Sequence, residues 1–294
     1  MTHPLDLFRP EFDFVLRGLW AGLIVGLLCA YLGVYVVLKR IVFVGAALAE
    51  VATVGVALSF LPAVAGLGPL AALDPEHTRP LLLALLVVLI GVIFFSQQAG
   101  SGQVPRESII GVAYAAATAL AIVFLSTSAS GEHHALDLIQ GDILTISPAA
   151  IRQLLLFAVP IALLHVLLFK EFLLVSFDAE YARTVGLRAR AIELFFYLSL
   201  GLMIAVAIKV VGTLLVVGFL VLPAVAALRL TRHLHAAFLI ALGLAALSTV
   251  AGIYLSAWEG SNVPMGPAMV TAAAVLLLLL WPLRSMTRLL ARTG

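Results

Sequence analysis

The sequence predicts an all-α, polytopic fold embedded in a membrane, and three observations predict it. Only 11% of the 294 residues are charged and the mean hydropathy is +1.18, whereas soluble chains carry about 25% charged residues. Apolar runs recur near 14–38, 41–62, 80–97, 108–127, 149–169, 192–208, 210–228, 236–256 and 265–283. Several exceed the roughly 18 residues that mark a candidate transmembrane helix. The third observation is that most Lys and Arg gather in the short connections between the runs.

The first run follows "MTHPLDLFRPEFDF", which holds three acids beside its basic residues. That pattern, and the length of the apolar run, do not fit a cleaved signal peptide, so the first helix is expected to remain. The single cysteine, Cys29, lies inside this run and has no partner for an internal disulfide. The stretch from Ile192 to Leu228 is 37 residues long, about 55 Å as a helix against a hydrocarbon core of about 30 Å. It must break, and Lys209 with Gly212 marks the turn. A re-entrant hairpin there is the competing arrangement, so the expectation is eight or nine crossings. No linker or low-complexity tract divides the chain, which reads as one transmembrane unit over residues 1–294.

Orientation follows from the connections, because cytoplasmic loops are enriched in Lys and Arg. With the loop after the fifth run inside, twelve basic residues lie inside and five outside. The inside set includes Lys39, Arg40, Lys170, Arg183, Arg188, Arg190, Arg229 and Arg232; the outside set is Arg9, Arg17, Arg79, Arg152 and Lys209. That places the N-terminus outside and the C-terminus inside, with nine crossings.

One inner connection is unusual. "KEFLLVSFDAEYARTVGLRARAIE", Lys170 to Glu193, concentrates charge and helix-boundary residues in an oily chain. Asp178 can cap a short helix whose first turn carries Glu180, and Gly186 can stop it. Phe177, Tyr181 and Val185 fall at four-residue spacing, which puts them on one face. The segment reads either as a surface helix resting at the headgroups or as a coupling helix inserted into a cytoplasmic motor.

Ser176, Phe177, Asp178, Glu180, Ala182 and Gly186 resemble the cytoplasmic loop of permease subunits of zinc/manganese-type ABC importers. "GVYVVLKRIVFVGAALAE" (33–50), "DLIQGDILTIS" (137–147), "KVVGTLLVVGFLVLPAVAALRL" (209–230) and "NVPMGPAMV" (262–270) resemble the same family, in order along nearly the whole chain. The resemblance implies a permease in a bacterial cytoplasmic membrane, paired with a second copy. It further implies a cytoplasmic ABC ATPase and an extracytoplasmic metal-binding protein as partners, and a divalent metal ion (zinc, manganese or iron) as cargo. It implies motor contact at Phe177, Asp178, Glu180 and Gly186. It implies no bound cofactor and no catalytic residue. None of the three lysines (Lys39, Lys170, Lys209) follows a glycine, so the chain carries no phosphate-binding Gly-Lys loop of its own.

The chain departs from the family where the second run usually carries Gly-Asp-x-Leu-x-His. Here the segment is Gly45, Ala46, Ala47, Leu48, Ala49, Glu50, with Ala46 at the aspartate position and Glu50 at the histidine position. Glu50 is the only ionisable residue between Arg40 and Asp74. A charge at mid-helix costs roughly 2.5–3.5 kcal/mol on insertion scales, so such residues face a cavity, a partner or an ion path. Glu50 reads either as a packed, hydrogen-bonded acid or as a path-lining ligand. Two copies facing each other would offer hard oxygen donors that suit manganese better than zinc. The missing Asp/His pair also leaves room for a chelate or another small solute.

His133 and His134, with Glu132 and Asp137, form an outer loop that is either an entrance for metal or merely solvated. Asp142 is placed at the outer end of the pathway by its loop-to-helix position. His165 reads as a hydrogen-bonded core histidine, and His233 and His235 as part of the basic inner surface. No Ser/His pair, paired intramembrane aspartates or His-Glu-x-x-His supports an intramembrane protease. A secondary carrier or channel is the remaining rival class.

Overall fold

The computed structural model describes residues 13–61, 64, 73–74, 78–97, 104–127, 138–141, 146–257 and 263–281. Its described helices, in chain order, are α1 (Asp13–Leu38), α2 (Val42–Leu58), α3 (Thr78–Gln97), α4 (Arg106–Ser126), α5 (Pro148–Leu167), α6 (Phe169–Phe177), α7 (Ala179–Thr184), α8 (Ala189–Val211), α9 (Thr213–Leu230), α10 (Leu234–Ala257) and α11 (Met265–Leu280). Each of the nine apolar runs has become one helix. Seven of them are long and apolar enough to cross a membrane, while α2 and α11 are shorter, at 17 and 16 residues.

The break in the long run lies at Gly212, whose φ of 81° only glycine adopts readily. It separates two full helices, not the arms of a short re-entrant hairpin. The chain also reverses there. Leu220, beyond the break, sets its backbone against Gly33 of α1. Phe196, before the break, brings its ring centroid 5.9 Å from that of Tyr35, also on α1. Both arms therefore return to the same end of α1. Phe238 near the start of α10 meets Tyr35 at 5.0 Å, and Arg229 near the end of α9 lies 3.5 Å over the Trp281 ring just past α11. One end of the bundle thus collects the C-terminal end of α1, the start of α8 and α10, and the ends of α9 and α11. It is the end that carries the basic connections, in agreement with the nine-crossing topology.

The interior is built by α1, α8 and α9, with α2 against them. In its most hydropathic stretch α8 buries 72% of positions and α1 67%, against 22% for α4 and α5. Those two outer helices present Val112, Leu120, Ile122, Leu156, Val159 and Leu163 outward, as lipid-facing helices do, since hydrocarbon is as apolar as the side chains. Helix α4 packs along α2, its principal neighbour. Gly201 of α8 lies against Val88 and Val92 of α3, and Gly218 of α9 against Val270 of α11; Pro223 is accommodated inside α9.

Local signals account for several ends. Ser147 caps α5, accepting from the Ala150 amide at 3.2 Å, and Pro148 opens the helix, where its missing N–H costs nothing.

The segment after α5 holds a helix that the sequence did not single out. Residues 169–177 form a separate helix, α6, joined to α5 by an elbow at Leu168. Its Phe172 and Val175 are buried, so tertiary packing holds it helical although it is short.

Candidate functional site

Two places gather the residues singled out from the sequence. The first is the projecting segment α6–α7. Asp178 caps α7 as predicted, its Oδ1 accepting from the amides of Glu180 at 2.9 Å and Tyr181 at 2.8 Å. At the other end Gly186, with φ 89°, lets the Gly186 amide donate to Arg183 O and the Leu187 amide to Ala182 O, both at 3.0 Å. That pair of bonds is a Schellman closure, which satisfies the last carbonyls of a helix. Ala182 is fully buried and joins Val175 and Ala189 in a small core of its own, with Leu174, Leu187 and Ile192 packed around it. The short helix is therefore fixed at both ends and from beneath.

Its outer face is open. Phe177 is 60% exposed, Tyr181 56% and Val185 57%, at the end of the bundle where the basic residues gather. Arg183, Arg188 and Arg190 are exposed beside them. Charged and apolar side chains together make a surface suited to a protein groove.

Beneath this segment lies an aromatic cluster that the sequence did not single out. Tyr35, fully buried, sits among Tyr31, His165, Phe169, Phe172, Phe196 and Phe238, with ring centroids 5.0–6.4 Å from its own. His165 is a core histidine, as expected: Nδ1–H donates to Ile161 O at 2.9 Å, and Nε2 faces the Ser199 hydroxyl at 3.3 Å. The cluster joins α1, α5, α6, α8 and α10. The signal in the sequence was spacing, Tyr31 with Tyr35 and Phe169 with Phe172, each pair on one helical face.

The second place is the face of α2 that carries Glu50. Ala46 and Glu50 are partly open while Ala47, Leu48 and Ala49 between them are buried. The stripe lies toward α4, and the Glu50 carboxyl lies beside the Thr118 side chain of that helix. The Thr118 hydroxyl itself donates back to Tyr114 O at 3.0 Å. Thr118 was not anticipated, although with Tyr114 it is one of only two polar side chains between Ile109 and Leu125. Among the described residues no three His, Cys, Asp or Glu side chains come together to hold a metal. Glu50 therefore offers one carboxylate per chain. His133, His134 and Asp142 lie outside the described residues.

The described helices define a multi-pass helical membrane protein. The chain belongs to the ABC 3 transport family, whose profile matches residues 11–283. It is similar to the manganese transport system membrane protein MntC of Listeria innocua, at 26% identity over 268 residues, covering 90% of this chain and 89% of that protein. It is also similar to a probable iron transport system membrane protein of Haemophilus influenzae, at 27% over 246 residues, covering 84% and 85%. Among solved structures its fold matches a chain of PsaBC from Streptococcus pneumoniae in complex with Fab, with a TM-score of 0.79, 23% identity and 94% of each chain covered. An inward-facing putative metal-chelate type ABC transporter gives 0.71 at 15% identity, covering 95% and 90%.

Proposed function

We propose that the chain is the membrane-spanning permease of an ATP-driven importer of divalent metal ions in a bacterial cytoplasmic membrane. It works as a pair of identical copies with two cytoplasmic ABC ATPase subunits and an extracytoplasmic metal-binding protein. The observation that carries this reading is α7: a helix clamped by Asp178 and Gly186 that holds Phe177, Tyr181 and Val185 exposed at the basic end of the bundle. Hydrolysis in the motors drags this helix, and the aromatic cluster beneath it passes the displacement to α1, α5, α8 and α10.

Glu50 is the pathway ligand in this reading. Two copies brought together across a twofold axis supply two carboxylates to a hydrated ion, a hard-oxygen site that favours manganese or ferrous iron over zinc. The curated relatives named for manganese and iron transport agree with that preference. The binding protein delivers its cargo at the outer connections around 128–148 and 257–264.

The test is uptake into proteoliposomes holding the permease, its ATPase and its binding protein. ATP-dependent uptake of Mn(II) or Fe(II) supports the reading. Uptake driven by an ion gradient without the ATPase overturns it in favour of a secondary carrier. A second reading, a metal chelate as cargo, is favoured by the absence of a ligand cluster among the described residues. Transport of chelated but not free ion would establish it.

A further inference from the structure

An apolar groove of about 270 Å³ runs along the outside of the bundle between α1, α5 and α10, lined by carbon atoms alone. Ile24 and Tyr31 of α1, Leu155, Val159 and Val166 of α5 and Leu242 of α10 line it. From Leu155 to Val166 the groove follows eleven residues of α5, about 17 Å. That is close to half of a hydrocarbon core about 30 Å thick, so the groove has the length of one leaflet.

Val166 also lines a second cavity of different chemistry, together with Leu167, Phe169, Lys170, Glu171 and His235. This cavity lies at the basic end of the bundle, just past the last turn of α5. His235 is held by stacking on Phe169, with ring centroids 5.4 Å apart and planes 24° from parallel. Among the described residues Lys170 and Glu171 have no hydrogen-bond or ion-pair partner. Among the described residues, two phosphate donors and one carboxylate therefore stand without a hydrogen-bond partner beside a slot lined by hydrocarbon.

We propose that these two cavities, which share Val166, are together a binding site for one aminophospholipid of the inner leaflet, with a phosphatidylethanolamine-type headgroup. The phosphate takes the Lys170 ammonium and a His235 N–H. The primary ammonium takes the Glu171 carboxylate, and one acyl chain lies along Val159 and Val166. A purely anionic headgroup would leave Glu171 facing like charge, and a quaternary ammonium could not donate a hydrogen bond to it. The juxtaposition of Lys170 and Glu171 thus selects a headgroup carrying both a phosphate and an N–H-bearing cation. The lipid also touches the elbow that carries α6 and α7, so its occupancy bears on the projecting segment.

The experiment is native mass spectrometry of the full-length, delipidated protein mixed with phosphatidylethanolamine, phosphatidylglycerol or phosphatidylcholine of equal chain length. The expected result is one retained lipid per chain, with ethanolamine retained several-fold over the others. Lys170→Ala lowers retention of both the ethanolamine and glycerol lipids, whereas Glu171→Gln abolishes only the preference between them. Val159→Trp, at a lipid-facing position, fills the groove and lowers retention of all three. Equal retention of the three lipids by the wild-type chain, or unchanged retention in Lys170→Ala and Val159→Trp, overturns the proposal. So does efficient crosslinking of Val159→Cys between two copies, which would make the groove a subunit interface.

Discussion

The imidazole of His165 lies flat on the ring of Phe172, with centroids 4.4 Å apart and planes within 10°, across the elbow that joins α5 to α6. The same imidazole reaches Ser199 of α8, and its backbone carbonyl accepts from the Tyr31 hydroxyl at 3.3 Å. One residue therefore ties the base of the projecting segment to two interior helices. His165→Ala should destabilise the protein by about 2–4 kcal/mol, as truncations of large buried side chains do. Ser199→Ala, which removes one neutral hydrogen bond, should cost only about 1 kcal/mol. Thermal unfolding of the two variants in a single detergent measures the difference.

Gly212 should tolerate no side chain. A Cβ there would meet the Gln140 carbonyl carbon and the Ile139 oxygen, each at 2.8 Å, in addition to the strain of a positive φ. Gly212→Ala should lower the yield of folded protein and its midpoint of unfolding, with a loss of at least about 1–3 kcal/mol. Gly186 has the same sign of φ but nothing within 4 Å of its Cβ position. Its alanine variant meets no clash and incurs only the strain of the positive φ, about 1–2 kcal/mol, so it should still insert while the end of α7 loosens.

That contrast makes Gly186 useful for testing motor contact. Glu180→Ala combined with Gly186→Ala should leave membrane insertion intact while transport per ATP hydrolysed falls. The ratio of uptake to phosphate release in proteoliposomes gives the answer; an unchanged ratio would remove α7 from the coupling route. Asp178→Ala should act more weakly, fraying the helix by about 1 kcal/mol, the usual cost of losing a capping side chain.

Glu50→Gln preserves shape and the contact with Thr118 while removing the charge. Metal uptake should fall by about tenfold or more, the order of loss seen when metal-site residues are altered. Hydrolysis stimulated by the binding protein should persist. Thr118→Val, which leaves the carboxylate but frees its orientation, should cause a smaller loss. Uptake by Glu50→Gln equal to wild type would return Glu50 to a packing role.

Much of the architecture was legible because lipid restricts it so severely. A backbone in hydrocarbon must satisfy its own hydrogen bonds, so each apolar run could only be a helix. Gly212 was legible for a similar reason, since the run around it is longer than the bilayer. The ends of α7 were legible because capping is local: Asp178 and Gly186 act within four residues of themselves. What escaped the sequence is non-local. Helix α6 exists because Phe172 meets Tyr35, far away in the chain, as well as His165 just across the elbow. Thr118 matters only because α4 lies along α2, and nothing near either residue announces that pairing. The substitution of Ala46 and Glu50 into the family's ligand pattern was visible at once; the neighbouring Thr118 on α4 was not.

Within one copy, helix α4 leans on α2 and leaves most of its apolar surface exposed, so moving it disturbs a single helix pair of that copy. The Thr118 hydroxyl beside Glu50 travels with it. Uncovering the Glu50 carboxylate is therefore mechanically cheap and independent of the tightly interlocked centre of α1, α8 and α9, which is what the pathway role proposed for it would require.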